Sequence, residues 1–188
     1  MPLSEARILA SLSDDRLARR AQHGDTKAFD VLVARHVNAL SRFVQSTYPE
    51  RSGCDDIVQE TFIAAWKALP SFEFRSQFRT WLYSLASRKT VDAMRKLRAT
   101  ADLDTIPETP DIHPGPGQQV LNGEFLAALR SQLSRLPYTA RAAWWLREVH
   151  DLPLAEIATI LHTSEGSVRG HLQRTRNHLA KALKEFRP

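Results

Sequence analysis

The sequence predicts an all-α protein: two small helical domains joined by a flexible linker, with a helix-turn-helix in the C-terminal one. Three observations predict it. Apolar residues recur at helical spacing in both halves, no alternating run bounded by hairpin turns occurs, and a Pro/Gly-rich stretch without Lys or Arg divides the chain. The expected boundaries are a leader over 1–13, a first domain over 14–98, a linker over 99–123 and a second domain over 124–188.

Length and composition fit this division. The 188 residues suit one ordinary domain or two small ones, and 43% hydrophobic with 25% charged residues is a globular composition. Residues 1–98 hold sixteen Lys and Arg against eleven Asp and Glu, and residues 124–188 hold ten against six. Two basic modules suit a polyanionic partner, although many soluble proteins are mildly basic without one. Cys54 is the single cysteine, so no intramolecular disulfide can form, which fits a reducing compartment. Glu5, Asp14 and Asp15 interrupt any early apolar run, and no segment approaches the roughly 20 apolar residues of a membrane helix. A soluble, cytoplasmic protein with no membrane insertion of its own is expected.

In chain order, the first strong helix runs from Ile57 to Leu69. Val58, Phe62, Ala65, Trp66 and Leu69 fall on one face, and Asp55 and Asp56 stand at its start, where carboxylates cap free N–H groups and meet the positive dipole end. Phe78, Leu82 and Leu85 begin a second stripe that continues at looser spacing through Val91, Met94 and Leu97. The linker carries Pro107, Pro110, Pro114 and Pro116 with Gly115 and Gly117, and its charges are Asp102, Asp104, Glu108 and Asp111. Such a stretch suits neither helix nor strand. Beyond it, Val168, Leu172, Thr175, Leu179, Ala182 and Phe186 mark a last amphipathic helix.

The most informative local pattern lies between Asp151 and Arg176. Pro153 suits a first helical turn, and Leu154, Ile157, Ala158 and Leu161 form the inward face of a short helix. His162-Thr163 makes a turn and Ser164 caps the next helix, which buries Val168 and Leu172 and leaves Ser167, Arg169, Gly170, Gln173, Arg174 and Arg176 on other faces. A short helix, a tight turn and an Arg-bearing helix let the second helix enter a major groove. Arg reads guanine O6/N7 bidentately and Gln pairs with adenine, while Ser164, Ser167 and Arg174 also suit phosphates. The same residues also fit an amphipathic hairpin with a solvated basic face.

Catalysis and metal binding find little support. Seven His residues are present, and His171 and His178 share a helix face. No H-E-x-x-H, paired Cys, carboxylate–His set, glycine-rich phosphate loop or activated Ser accompanies them. No catalytic residue, metal or cofactor is expected, and the chain is not expected to be an enzyme.

Asp55-Asp56-Ile-Val-Gln-Glu-Thr-Phe-Ile-Ala-Ala-Trp66, followed by Phe78-Arg-Thr-Trp-Leu-Tyr-Ser-Leu-Ala86, closely resembles the D-D-x-V-Q-E-x-F-x-x-x-W and F-x-x-W-L-x-x-I-A blocks of group-four, extracytoplasmic-function (ECF) sigma factors of the sigma-70 family. Leu136-Pro137, Leu146-Arg-Glu-Val149 and the helix-turn-helix match the same family's C-terminal domain in the same order. The resemblance implies a factor that binds core RNA polymerase, recognises the −10 and −35 promoter elements and supports DNA opening, in a stress or envelope response. It implies polymerase contacts through Asp55, Asp56, Val58, Gln59, Glu60 and Phe62, with Val58, Phe62 and Trp66 packing inward. It implies −10 contacts through Phe74, Arg75, Ser76, Arg88, Lys89, Asp92, Arg95, Lys96 and Arg98. Of Phe72, Phe74 and Phe78, only Phe74 is expected to touch DNA. The implied −35 contacts are Ser164, Gly166, Ser167, Arg169, Gly170, His171, Gln173, Arg174 and Arg176. The expected partners are core RNA polymerase, promoter DNA and an anti-sigma factor.

Two departures from the family pattern stand out. Arg88 replaces the usual Asn, and His162 replaces the Gly favoured at the turn. Arg169-Gly170-His171 also stands where Lys-Ser-Arg is usual, and an atypical −35 preference follows. The acidic linker fits either a nucleic-acid mimic in a basic channel or a solubilising spacer. A helix-turn-helix regulator acting without polymerase docking is the alternative function. Cys54 fits either a redox switch or an inert thiol.

Overall fold

The computed structural model describes residues 5–101 and 120–184, and these hold nine α-helices and one 3-10 turn, with no strand among the described residues. Helices α1 (Glu5–Ser11) and α2 (Asp14–Gln22) lead into α3 (Thr26–Thr47), α4 (Cys54–Ala68) and α5 (Phe78–Ala101). Helices α6 (Val120–Ser134), α7 (Tyr138–Glu148), α8 (Leu154–Ile160) and α9 (Glu165–Ala182) follow.

The helix starts show why these residues fold as they do. Ser13 Oγ accepts from Arg16 N at 3.4 Å, Asp25 Oδ1 from Ala28 N at 3.1 Å and Ser164 Oγ from Ser167 N at 3.1 Å. Each side chain satisfies an amide that the helix itself leaves unpaired. Gly53 caps α4 with no side-chain bond, so Asp55 and Asp56 in the first turn supply the charge that the dipole favours. The first amide of α5, Phe78 N, is taken by Asp15 Oδ1 of α2 at 3.3 Å.

The expected stripes are largely the buried ones. Val58, Phe62, Ala65 and Leu69 of the α4 region are buried, as are Phe78 and Leu82 of α5 and Val168, Leu172, Thr175 and Leu179 of α9. Other placements differ. The leader is not separate: α1 packs on α3, burying Leu9, while Lys27 Nζ meets Glu5 Oε2 at 2.6 Å. Helix α5 continues through 99–101 and α6 begins at Val120, so both ends of the 99–123 linker are helical. Ala99 and Ala101 favour that extension, alanine being the best helix former. The linker acids Asp102, Asp104, Glu108 and Asp111, and Phe186 at the other end, lie outside the described residues. Pro153 has ψ 153° and is therefore the N-cap of α8 rather than its first helical residue. Ala182 is exposed, and Leu183 is buried in its place.

The two halves share one core. Leu32, Leu40, Phe43, Leu82 and Tyr83 of the first half and Ala143, Leu146, Leu152, Ile157 and Val168 of the second belong to a single buried cluster. Helix α5 packs on α8 and α3 on α7. Arg141 of α7 seals the seam with only 6% of its surface exposed. Its Nη2 donates to Thr47 O at 2.6 Å, and its Nη1 donates to Ser134 O at 2.9 Å and Leu136 O at 3.3 Å. Thr47 ends α3 and Ser134 ends α6, so the guanidinium covers carbonyls at two negative helix ends. Tyr138 Oη adds a bond to Ser87 Oγ at 2.9 Å.

Candidate functional site

The helix-turn-helix forms from α8, a turn and α9. Thr163 N donates to Ala158 O at 3.0 Å and His162 N to Thr159 O at 3.3 Å, closing the turn, and His162 sits at φ 49°. That left-handed conformation costs a side-chain-bearing residue about 1 kcal/mol or more. Ser164, Gly166, Ser167, Arg169, Gln173, Arg174 and Arg176 are exposed, and Gly170 and His171 are half-buried. Arg176 is tied to Glu148 at 2.8 Å and Gln173 to Asn177 at 3.2 Å. Arg174 Nη2 donates to His171 Nδ1 at 3.4 Å, and its Nη1 lies 3.2 Å from where a Cβ on Gly170 would sit. The missing side chain thus lets the guanidinium lie along the helix. Burial, then the Arg174 charge, lowers the His171 pKa and favours the neutral ring that accepts this bond.

The loop before α5 stacks its aromatics. Phe72 and Phe78 are buried, and Trp81 lies parallel to Phe72 with centroids 4.5 Å apart. Phe74 is the half-buried member, at φ 56°, with its ring 4.5 Å from Phe72 and the Arg19 guanidinium 3.9 Å above it. Gln22 Nε2 donates to the carbonyls of Leu69, Pro70 and Phe72 at 3.1, 3.3 and 3.0 Å, holding the turn that aims the loop. Arg75, paired with Glu73 at 2.6 Å, is exposed and Ser76 is half-buried. On α5, Lys89 Nζ bonds Glu60 Oε2 at 3.0 Å, and the Lys89 bond lowers the Glu60 pKa. Asp92 meets Arg95 at 3.6 Å, and Lys96 and Arg98 are exposed.

On α4, Asp55, Asp56, Gln59 and Glu60 are exposed, whereas Val58 and Phe62 retain only 6% and 8% of their surface. These two are therefore the floor of a groove rather than projecting contacts, because helical spacing turns them toward α3. The groove, about 550 Å³, runs between α3 and α4 and is lined by Phe29, Val33, Val37, Ile63 and Trp66, with Asp55 and Gln59 at its rim. Ile63 is 46% exposed. The α3 wall and Ile63 are absent from the contacts that the family resemblance implies, although Phe29, Val33 and Val37 recur at helical spacing within 26–47.

A second cleft, about 640 Å³, separates the two candidate DNA surfaces. Ser76, Trp81, Ser84 and Arg88 form one wall, and Ala155, Thr159, His162, Thr163 and Glu165 form the other. Arg88 Nε donates to His162 Nε2 across it at 3.0 Å. Nearby, Thr80 Oγ1 donates to Glu156 Oε2 at 2.6 Å, and Tyr83 Oη lies 3.3 Å from His150 Nδ1.

Cys54 is buried with its thiol 3.3 Å from Glu50 O, and burial pushes its pKa up to about 11. It is therefore a protonated, shielded thiol, which fits the inert alternative. His178 Nε2 contacts Gln132 Oε1 at 3.1 Å, and no His/Cys/Asp/Glu group among the described residues could hold a metal. No helix among the described residues is long and apolar enough to cross a membrane.

Comparison with known proteins extends these observations. The pattern of sigma-70 region 2 matches residues 32–100, and that of sigma-70 region 4 matches residues 126–179. The chain is 36% identical over 177 residues to RNA polymerase sigma factor NccH of Alcaligenes xylosoxydans xylosoxydans, covering 90% of this chain and 94% of that one. It is 34% identical over 176 residues to the ECF RNA polymerase sigma-E factor of Escherichia coli (strain K12), covering 88% and 91%. Its fold is similar to CnrH in complex with the cytosolic domain of CnrY, with a TM-score of 0.70, 31% identity and coverage of 92% and 97%. It is also similar to the sigma factor RpoE bound to the anti-sigma factor NepR from Bartonella quintana, with a TM-score of 0.73, 25% identity and coverage of 84% and 98%. With both regions present in order and full-length relatives above 30% identity, the chain belongs to the sigma-70 family, among its ECF RNA polymerase sigma factors.

Proposed function

We propose that this protein binds core RNA polymerase, carries it to promoters through their −10 and −35 elements and helps open the DNA. The observation that supports this most is the ordered pair of regions, one bearing an acid-rimmed apolar groove and the other an Arg-bearing helix-turn-helix. The chain is an initiation factor in the cytoplasm and performs no reaction of its own.

The groove between α3 and α4 takes a helical segment of the polymerase. Phe29, Val58, Phe62 and Ile63 offer apolar area, while Asp55, Asp56, Gln59 and Glu60 receive basic side chains around it. Phe74 stacks a base extruded at the −10 element, an interaction that contributes about 1–3 kcal/mol. Arg19 now occupies that ring face, and a base displaces it toward the phosphate. Arg75, Ser76, Arg88, Lys89, Arg95, Lys96 and Arg98 line the path of the strand, with Asp92 orienting Arg95. Arg169, Gln173 and Arg174 read the −35 bases beside Gly170 and His171. Ser164, Gly166, Ser167 and Arg176 hold phosphates at the start and flank of α9. The solved CnrH and RpoE structures hold CnrY and the anti-sigma factor NepR, and a partner of that class is proposed here in a stress or envelope response.

Run-off transcription with core polymerase and a library of randomised promoters tests the function. Discrete transcripts from promoters sharing two spaced elements are expected. Transcription indistinguishable from core enzyme alone contradicts it.

A further inference from the structure

We infer that the Arg88–His162 contact is a latch closing the two DNA-reading surfaces on one another, and that protonation of His150 in the same seam releases it. The inference rests on the promoter-binding function proposed above, since it assigns these surfaces to DNA.

The chemistry of the bond sets the first condition. Guanidinium is always protonated and has only donors, so His162 Nε2 must offer a lone pair and its ring proton must sit on Nδ1. Three elements face the ring. Ser76 of the preceding loop and Trp81 and Ser84 of α5 surround Arg88 without adding charge; α8 contributes Thr159, and Glu165 at the start of α9 is the one carboxylate lining the cleft.

His150, deeper in the same seam, is the titrating group. Its ring meets Tyr83 edge-on with centroids 5.3 Å apart, Nδ1 faces the Tyr83 hydroxyl, and Nε2 is buried without a hydrogen-bond partner. The charges facing it are Arg42 of α3 and Arg79 of α5, both positive. Glu156 of α8 is engaged by Thr80 at 2.6 Å and by Arg79 at 3.6 Å, and Asp151 meets Arg147 at 3.6 Å in solvent. Tyr83 stays neutral, its pKa pushed up by burial to about 12. Burial first, then the Arg42 and Arg79 charges, lowers the His150 pKa in the closed form. A histidine that binds its proton more readily when the seam is open favours the closed form above its ordinary pKa, and this preference is lost as pH falls below it.

Closure also occupies what DNA needs. Arg88 cannot hold His162 and a promoter strand with the same Nε–H. The cleft, about 640 Å³, has room for a few side chains and not for a duplex. Left-handed His162 costs conformational energy, and the bond to Arg88 offsets part of it.

Small-angle X-ray scattering of the full chain, without DNA or polymerase, tests the latch separately from promoter binding. At about pH 8 a closed chain of this length has a radius of gyration of about 16 Å, and it expands by several ångströms as pH falls to about 5.5 with helical circular dichroism unchanged. His162→Gly, which keeps the left-handed turn and leaves the shared core to hold the seam, is expected to begin expanding at a higher pH than the wild type. His150→Phe, which keeps the edge contact with Tyr83 and cannot titrate, is expected to shift expansion to lower pH. An expanded wild type at about pH 8, no expansion on acidification, expansion only with loss of helix, or variants that follow the wild type would each overturn the latch.

Discussion

Replacing Arg141 with Met probes the seam between the halves. The substitution keeps an apolar stem of similar length and removes the guanidinium. Three carbonyls then lose a donor: the buried Thr47 O at 2.6 Å, and the part-buried Ser134 O and Leu136 O at 2.9 and 3.3 Å. An orphaned buried acceptor costs about 1–3 kcal/mol, so Thr47 O alone sets a loss of that size, and the two carbonyls nearer solvent add less. Against this stands the cost of burying the charge, seen in the unpartnered Nε and in a pKa lowered by burial. Met recovers part of that cost, but the carbonyls remain in place at two helix ends, leaving a net loss of about 1–3 kcal/mol. Urea unfolding followed by circular dichroism reads the change as a lower midpoint at unchanged slope. A loss below about 1 kcal/mol, or a gain, would mean that desolvation outweighs the bonds and would refute the reasoning.

Other substitutions separate binding from folding. Ile63→Lys places a charge in the exposed part of the α3–α4 groove, so core-polymerase affinity should fall at least about tenfold while stability stays within about 0.5 kcal/mol; unchanged affinity contradicts the groove assignment. Gly170→Ala asks only the tip of Arg174 to move and should stabilise α9 by up to about 1 kcal/mol, while promoter selection shows an altered −35 preference. An unchanged preference removes Gly170 from the specificity argument. The bond from His36 Nε2 at 2.6 Å, and then Arg35, holds the Asp14 carboxyl below the usual carboxylate range. Its stabilisation is complete above that range and is lost as pH falls through the lowered value, so Asp14→Asn should flatten the acid limb of a stability–pH curve, and a parallel curve would show another carboxylate to be responsible.

What the sequence makes legible is local. Helical spacing identifies Val58, Phe62 and Ala65 as one buried face, and Ser164 before Val168 and Leu172 marks the cap and core side of the recognition helix, because caps and stripes are read within a few residues. The seam is not legible in this way. Arg88 and His162 each stand out as departures from the family pattern, yet 74 positions separate them and no periodicity joins them. Arg141 looks like any solvated arginine until Thr47 O is placed beside it. Gln22, clasping three carbonyls nearly 50 residues away, carries no motif at all. Leu9 is buried because α3 lies under α1, a fact of packing rather than of the leader's composition.

Whether the first region engages the polymerase is the question on which the functional account turns. Gel filtration of the full chain mixed with core RNA polymerase, without DNA, answers it most directly. A stable one-to-one complex is expected at neutral pH, and Ile63→Lys is expected to weaken it. A chain that elutes apart from core enzyme while still binding DNA would contradict it and favour a regulator that acts alone.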